Sequence, residues 1–166
     1  GDPSIHHPQA KQKQIRDCLK GNNNLNIYEV HGGFGYCTEA FAEFGNVTSR
    51  KHEEGDETHL TNEEIANKRS YDVVDLDPYG YSTIRLLPDV IRLLRKEGHL
   101  FLTIPTGRVF SPPGDTLMEA ACGFAKPPVS EIIRYIERIG KLYNRELAVQ
   151  DVLHLGAVWR IAMKTV

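Results

Sequence analysis

The chain is poor in cysteine: Cys18, Cys37 and Cys122 are its only three, with no Cys-x-x-Cys pair and no histidine cluster at zinc spacing. So small and scattered a set excludes a disulfide framework or a structural zinc site, and it suits a reducing, cytoplasmic setting. Long apolar runs are missing too. None approaches the roughly 20 residues that cross a bilayer, and the polar start has no apolar leader core, so no membrane role is expected. Excess charge of one sign is also lacking, since 20 Lys and Arg face 22 Asp and Glu for a formal net charge of −2. Attraction of the whole domain to phosphate is therefore excluded, and contact with nucleic acid must come from a local patch or a partner that delivers it. No internal repeat and no low-complexity tract interrupts the 166 residues. That length predicts one domain over residues 1–166, with an entry helix within 1–20 and little room for a second module. Residues 1–4, which open on Gly1 rather than Met, are set aside from fold reasoning.

What the chain does have is alternation of strand and helix patterns. Pro8 to Lys20 is charged, with a thin stripe of Ile15, Cys18 and Leu19 that predicts a short helix laid on a sheet. Gly21 to Asn24 breaks it, and Leu25–Val30 reads as the first strand. His31-Gly32-Gly33-Phe34-Gly35 is a glycine-rich turn into a helix over Thr38–Phe44. A polar, β-capable stretch, Asn46–His52, precedes the acidic run Glu53–Glu57, and a short helix from about Asn62 to Asn67 takes Thr61 as its cap. From Tyr71 a strand begins; Ile84, Leu87, Val90, Ile91 and Leu94 then recur at helical spacing, with Gly98 as the stop. His99–Ile104 is a buried strand, and Arg108–Gly114 is a loop that serves equally as lid or plain connection. Val129–Tyr143 predicts an amphipathic helix, and Glu146–Leu155 and Ala157–Val166 pair antiparallel about Gly156. The expected fold is α/β, Rossmann-like and doubly wound: a mostly parallel sheet, helices on both faces, and an antiparallel C-terminal hairpin.

Chemistry concentrates in two places. The strand from Tyr71 runs into Asp77-Pro78-Tyr79-Gly80, where proline ends the ladder and exposes a carboxylate, a carbonyl and a ring together. By itself this is as well read as an ordinary buried strand. Upstream, Glu29 ends the first strand beside Gly33 and Gly35, whose freedom lets backbone approach a ligand while the next helix points its amides there. A carboxylate gains nothing beside phosphate, so Glu29 suits a cationic amine or sugar hydroxyls. Glu53 lies 20 residues after Gly33, the spacing of a ribose-binding acid, and Asp56 is placed to accept from an adenine amino group. A solvated acidic run explains either residue equally well. Arg134, Arg138, Lys141 and Arg145 share a helix face that solvation explains more simply than phosphate, and Arg108 and Lys126 are the better candidates for substrate phosphate. Trp159 reads as a core residue, and His31 and His52 as structural or cofactor-lining. No Ser-His-Asp or Cys-His set and no metal site stands out.

These residues resemble the class I S-adenosylmethionine-dependent methyltransferases. Glu29-Val30-His31-Gly32-Gly33-Phe34-Gly35 looks like the family's first motif, with His31 in place of the first glycine. Asp77-Pro78-Tyr79 looks like the fourth motif of the branch that methylates exocyclic amino groups of bases, and Asp75-Leu76-Asp77-Pro78-Tyr79-Gly80 is most similar to tRNA guanine-N2 dimethyltransferases. The resemblance implies S-adenosylmethionine held by Glu29, His31, Gly33, Gly35, Glu53, Asp56 and Asp75. It also implies that Asp77 and the Pro78 carbonyl accept from the amino group while Tyr79 stacks on the base. The implied substrate is RNA or DNA, RNA being favoured, with a partner protein or domain to deliver it. The span between Glu53 and Asp56 is far shorter than the family's usual one, so one helix and one strand of the family fold are expected to be compressed or missing. Two other readings are an inactive cofactor-binding subunit of a larger methyltransferase and an NAD-dependent oxidoreductase. The latter would need a third glycine where Thr38 stands.

Overall fold

A computed structural model describes residues 7–30, 35–50, 57–78, 82–106 and 112–166. Its elements in chain order are α1 (Pro8–Leu19), β1 (Leu25–Val30), α2 (Tyr36–Ala42), β2 (Gly45–Arg50), α3 (Glu57–Ala66), β3 (Tyr71–Leu76) and α4 (Ser82–Val90). After a 3-10 turn at Ile91–Leu93 come β4 (Leu94–Pro105), α5 (Pro112–Cys122), α6 (Val129–Leu142), β5 (Leu147–Leu155) and β6 (Val158–Thr165). One sheet holds all six strands in the order β2-β1-β3-β4-β6-β5. The first four run parallel, and β6 and β5 close the sheet antiparallel. This is a Rossmann-like, doubly wound α/β fold, as the strand and helix alternation dictates.

Both faces are covered, and alternation along each strand divides the side chains between them. Tyr28, Val30, Val74, Leu76, Leu100, Leu102, Ile104, Ile161 and Met163 meet α4, α5 and α6 in the larger core. Ile27, Val73, Phe101 and Ala162 meet Ile15 and Leu19 of α1 and Ala40 and Phe41 of α2 in a smaller one. Phe41 packs edge-on against Phe101, ring centroids 5.6 Å apart. One helix, α3, connects β2 to β3 among the described residues, with β2 at an edge of the sheet; the Glu53–Asp56 span lies outside those residues. Arg50 at the end of that edge is tied to α3 by a 2.7 Å bond to Glu64.

Three local expectations are corrected. Thr61 is no helix cap: α3 starts at Glu57 and buries Thr61 in its middle. Gly98 does not stop a helix, because the helical run ends at Leu93 and Gly98 lies inside β4. The β3–β4 register jumps there from Tyr71↔Leu94 to Val73↔His99, and a Cβ on Gly98 would sit 2.9 Å from the Asp72 carbonyl oxygen. The bulge needs glycine because backbone crowds it. Finally, the loop expected to run to Gly114 ends earlier, since Pro112 opens α5 and a proline in the first turn loses no helical bond. No described helix is long and apolar enough to cross a membrane.

Gly45 marks the tightest point between β1 and β2: an added Cβ would lie 1.9 Å from the Leu25 carbonyl oxygen. Gly45→Ala is expected to cost about 2 kcal/mol or more, as overpacked sites do, read as a lower urea midpoint at unchanged slope.

Candidate active site

The face covered by α1 and α2 turns polar toward the carboxyl ends of the parallel strands. Glu29 ends this face of β1, Asp75 and then Asp77 end it on β3, and Thr103 does so on β4. Because β6 runs the other way, its Arg160 stands opposite Thr103 and reaches the same place from the sheet's antiparallel side. In an open α/β sheet this edge is where ligands bind.

Arg160 and Asp75 form the floor, both 0% exposed. Arg160 Nη1 donates to Asp75 Oδ1 at 2.6 Å and to Thr103 Oγ1 at 3.1 Å, and the guanidinium lies 5.4 Å from the centre of the Phe101 ring. Burial pushes the Asp75 carboxyl up against the pull of Arg160. Burial works against the Arg160 charge as well, but Asp75, Cys37 and Asp77 together outweigh it and keep the guanidinium protonated. Asp75 Oδ2 and Arg160 Nε and Nη2 have no partner among the described residues. A wholly buried pair with loose ends costs desolvation, which marks it as more than a packing solution.

Above the floor, Asp77 is met by α1. Lys11 Nζ lies 2.8 Å from Asp77 Oδ2, with the two side chains 6% and 23% exposed. Burial would raise the Asp77 carboxyl, but Lys11 and Arg160, with a bond from the Thr103 hydroxyl, hold it below the usual carboxylate range. Asp77 is thus an ionised hydrogen-bond acceptor at neutral pH. Pro78 follows it, buried. Tyr79 lies outside the described residues.

Glu29, 1% exposed, receives the Thr38 hydroxyl of α2 and the Ser49 hydroxyl of β2, the latter at 2.9 Å, both on Oε1. Burial and the nearby Asp75 push its carboxyl up to about 7, against those two bonds. Gly35 caps α2 with a φ of 86°, the left-handed conformation that favours glycine, and no side chain caps the helix. The first-turn amides of α2 therefore face the ligand edge without a side-chain partner at the cap. His31, Gly33, Glu53 and Asp56 lie outside the described residues.

The charges decide what this site can hold. Among the described residues, Glu29, Asp75 and Asp77 face only Lys11 and Arg160, leaving one negative charge once Glu29 is ionised. That deficit suits a ligand of net single positive charge and opposes a pyrophosphate. Glu29, Cys37 and Asp75 bring three ligand atoms within 4.8 Å of one another. The set does not fit a metal, because burial pushes the Cys37 thiol up to about 12 and Arg160 already occupies Asp75.

The remaining candidates are placed otherwise. Arg145 donates to the Leu94 and Tyr143 carbonyls, Arg138 reaches the Ala121 carbonyl, and Arg134 pairs with Glu131. Trp159 is partly buried against the larger core and stacks with His154 at 4.5 Å. Arg108 lies outside the described residues, and Lys126 is exposed. Sequence reasoning missed Lys11, Thr103 and Arg160. For Lys11 a signal existed, since it sits four residues before Ile15 on the stripe that faces the sheet.

No protein-family model matches the chain, and no curated protein matches its sequence. Solved structures do. SMU.776, described as a methyltransferase and solved with S-adenosylhomocysteine, aligns with a TM-score of 0.66 at 12% identity, over 95% of this chain and 48% of its own. Ribosomal protein L11 methylase from Lactobacillus delbrueckii subsp. bulgaricus gives 0.61 at 12% identity, over 99% and 80%. Trm5b from Pyrococcus abyssi gives 0.59 at 11% identity, over 94% and 47%. The chain spans about half the length of the first and third of these. At such identities the likeness is one of fold: the chain has the Rossmann-like fold found in methyltransferase structures.

Two outcomes follow from the floor and Glu29. Arg160→Met leaves Asp75 buried and unpaired, an expected loss of about 3–5 kcal/mol in urea unfolding. Glu29 is raised from 4.5 to about 7 in the fold, so stability is fullest below pH 4.5 and falls as pH rises through 7, by roughly 3 kcal/mol. Glu29→Gln should flatten that fall in thermal unfolding scanned from pH 5 to 8.

Proposed function

We propose that residues 1–166 form a methyltransferase domain that takes S-adenosylmethionine and methylates an exocyclic amino nitrogen, of a base in nucleic acid with RNA favoured. The observation that carries this reading is the side-by-side ending of β1 and β3. Glu29 pairs in register with Asp75, and Asp77 follows two residues on, so an uncompensated carboxylate and an ionised acceptor share one edge. The cofactor's net single positive charge complements the deficit described above. Glu29, with Gly35 and the neighbouring His31 and Gly33, would hold its amino acid end; Glu53 and Asp56 would take the ribose and adenine. Asp75 would act through its charge from below. The binding of S-adenosylhomocysteine by a protein of this fold supports the assignment.

Bound there, the cofactor supplies an electrophilic methyl group. The chain's own part is positioning. Asp77 and the Pro78 carbonyl accept the acceptor's N–H bonds and so turn its lone pair away from themselves, while Tyr79 offers a ring for the base to stack on. Because Asp77 is held ionised it orients without needing to take up a proton, and the proton lost from the amino group passes to solvent. Orientation of this kind is worth as much as about 7–11 kcal/mol. A base in a duplex would have to be flipped out first. A partner protein or domain that delivers the nucleic acid is part of this reading, and a ribosomal-protein methylase of the same fold makes a protein amino group the contrasting outcome.

Calorimetry with S-adenosylmethionine and with NAD tests the cofactor. Affinity for the first should rise from pH 6 to 8 as Glu29 ionises, with proton release on binding; Glu29→Gln should remove the trend, and binding of NAD alone overturns the reading. Methyl incorporation into tRNA, single-stranded DNA and ribosomal protein then tests the acceptor, with Asp77→Asn expected to lower it on the order of 10²-fold. Cofactor binding with no incorporation anywhere would favour an inactive partner subunit.

A further inference from the structure

We infer that Lys11 is a positioning and selectivity residue of the acceptor site: it holds one oxygen of Asp77 and reserves the carboxylate's exposed edge for a neutral amino group, excluding an aliphatic ammonium. The inference rests on the amino-methyltransferase reading and narrows its substrate class. Lys11 occupies the sheet-facing stripe of α1 with Ile15 and Leu19, a place that apolar residues fill more cheaply. Its side chain is 6% exposed and its ammonium is spent on Asp77 Oδ2 at 2.8 Å. If the role were only to pin α1 to the sheet, an uncharged contact would serve, as Gln14 does from its amide to the Arg160 carbonyl of β6 at 3.3 Å.

The elements around Asp77 each present a group to it. Lys11 comes from α1, Arg160 from β6, Thr103 from β4, Asp75 from its own strand and Cys37 from α2. Lys11 by itself satisfies the charge of Asp77, and Arg160, paired to Asp75, adds its field. A third cation, brought by a protonated lysine or polyamine, would stand within a few ångströms of Lys11 with no negative charge left for it at Asp77. At about 4 Å and an effective dielectric near 20, that repulsion amounts to roughly 10²- to 10³-fold in affinity. A conjugated amino group of a base or an amide is neutral at pH 7, and donates N–H to the remaining lone pairs of Asp77 without meeting this barrier. Lys11 thus separates two kinds of nitrogen that a bare Asp-Pro-aromatic device would accept alike.

The test compares wild type, Lys11→Met and Lys11→Arg as full chains loaded with S-adenosylhomocysteine. Adenosine, guanosine and spermidine are titrated against the ¹³C signal of the Asp77 carboxyl, assigned by its loss in Asp77→Asn. Expected is a shift with a nucleoside but none with spermidine in wild type and Lys11→Arg, and at least about a tenfold gain in spermidine affinity relative to nucleoside in Lys11→Met. Should the methionine variant unfold, Lys11→Gln takes its place. An unchanged ratio in the uncharged variant overturns the inference and leaves Lys11 as an anchor of α1. A wild-type response to spermidine overturns it as well. The methyltransferase reading is judged separately, by cofactor calorimetry and methyl incorporation, so the two can fail independently.

Discussion

Arg160 bound to Asp75 is the constraint around which the rest is arranged. A central parallel strand covered on both faces is a place for valine and leucine, and β3 obliges at Val73, Val74 and Leu76 but not at Asp75, which is wholly buried. A carboxylate there demands a cation, and the nearest backbone that can bring one is β6 across β4. That requirement fixes which face Arg160 takes, sets Thr103 beneath it, and leaves Asp77 and Glu29 within its field. Lys11 then answers Asp77 from the other side. Glu29 is left without a cation of its own among the described residues, the deficit on which the proposed cofactor site rests.

The two faces of the sheet divide the labour. The larger core under α4, α5 and α6 gathers most of the buried apolar side chains of the described residues. The face under α1 and α2 is a thin apolar patch that gives way, toward the strand ends, to ionised groups. Function is thus built on the side where fewer hydrophobic contacts depend on it. Strain from uncompensated charge is tolerated there because the opposite core does not share it.

Much of this was legible in the sequence, and the reasons are physical. Strand β1 and helix α6 follow from local pattern, and the hairpin about Gly156 from two β runs around one glycine. Asp77-Pro78 was legible because proline has to end a ladder. What could not be read was anything that depends on register between distant strands. Arg160 reads as a surface charge in a β run; only its pairing opposite Thr103 puts it beneath the site. Gly98 has the look of a helix stop, and only the crowding by Asp72 reveals a bulge. The α5 helix hid behind its opening prolines, which signal loop and helix start alike.

The source of Arg160 has a consequence for how the chain comes together. The carboxylate it neutralises lies 85 positions earlier, on β3, so β1 to β4 emerge during synthesis with Asp75 still without its counter-ion. Contacts of such long sequence separation form late and slowly. A nascent or shortened chain ending before β6 would hold a sheet whose most buried position is charged and whose β4 edge is open to other strands. Assembly of this sheet therefore waits on β6, the strand that brings the counter-ion for its most deeply buried charge.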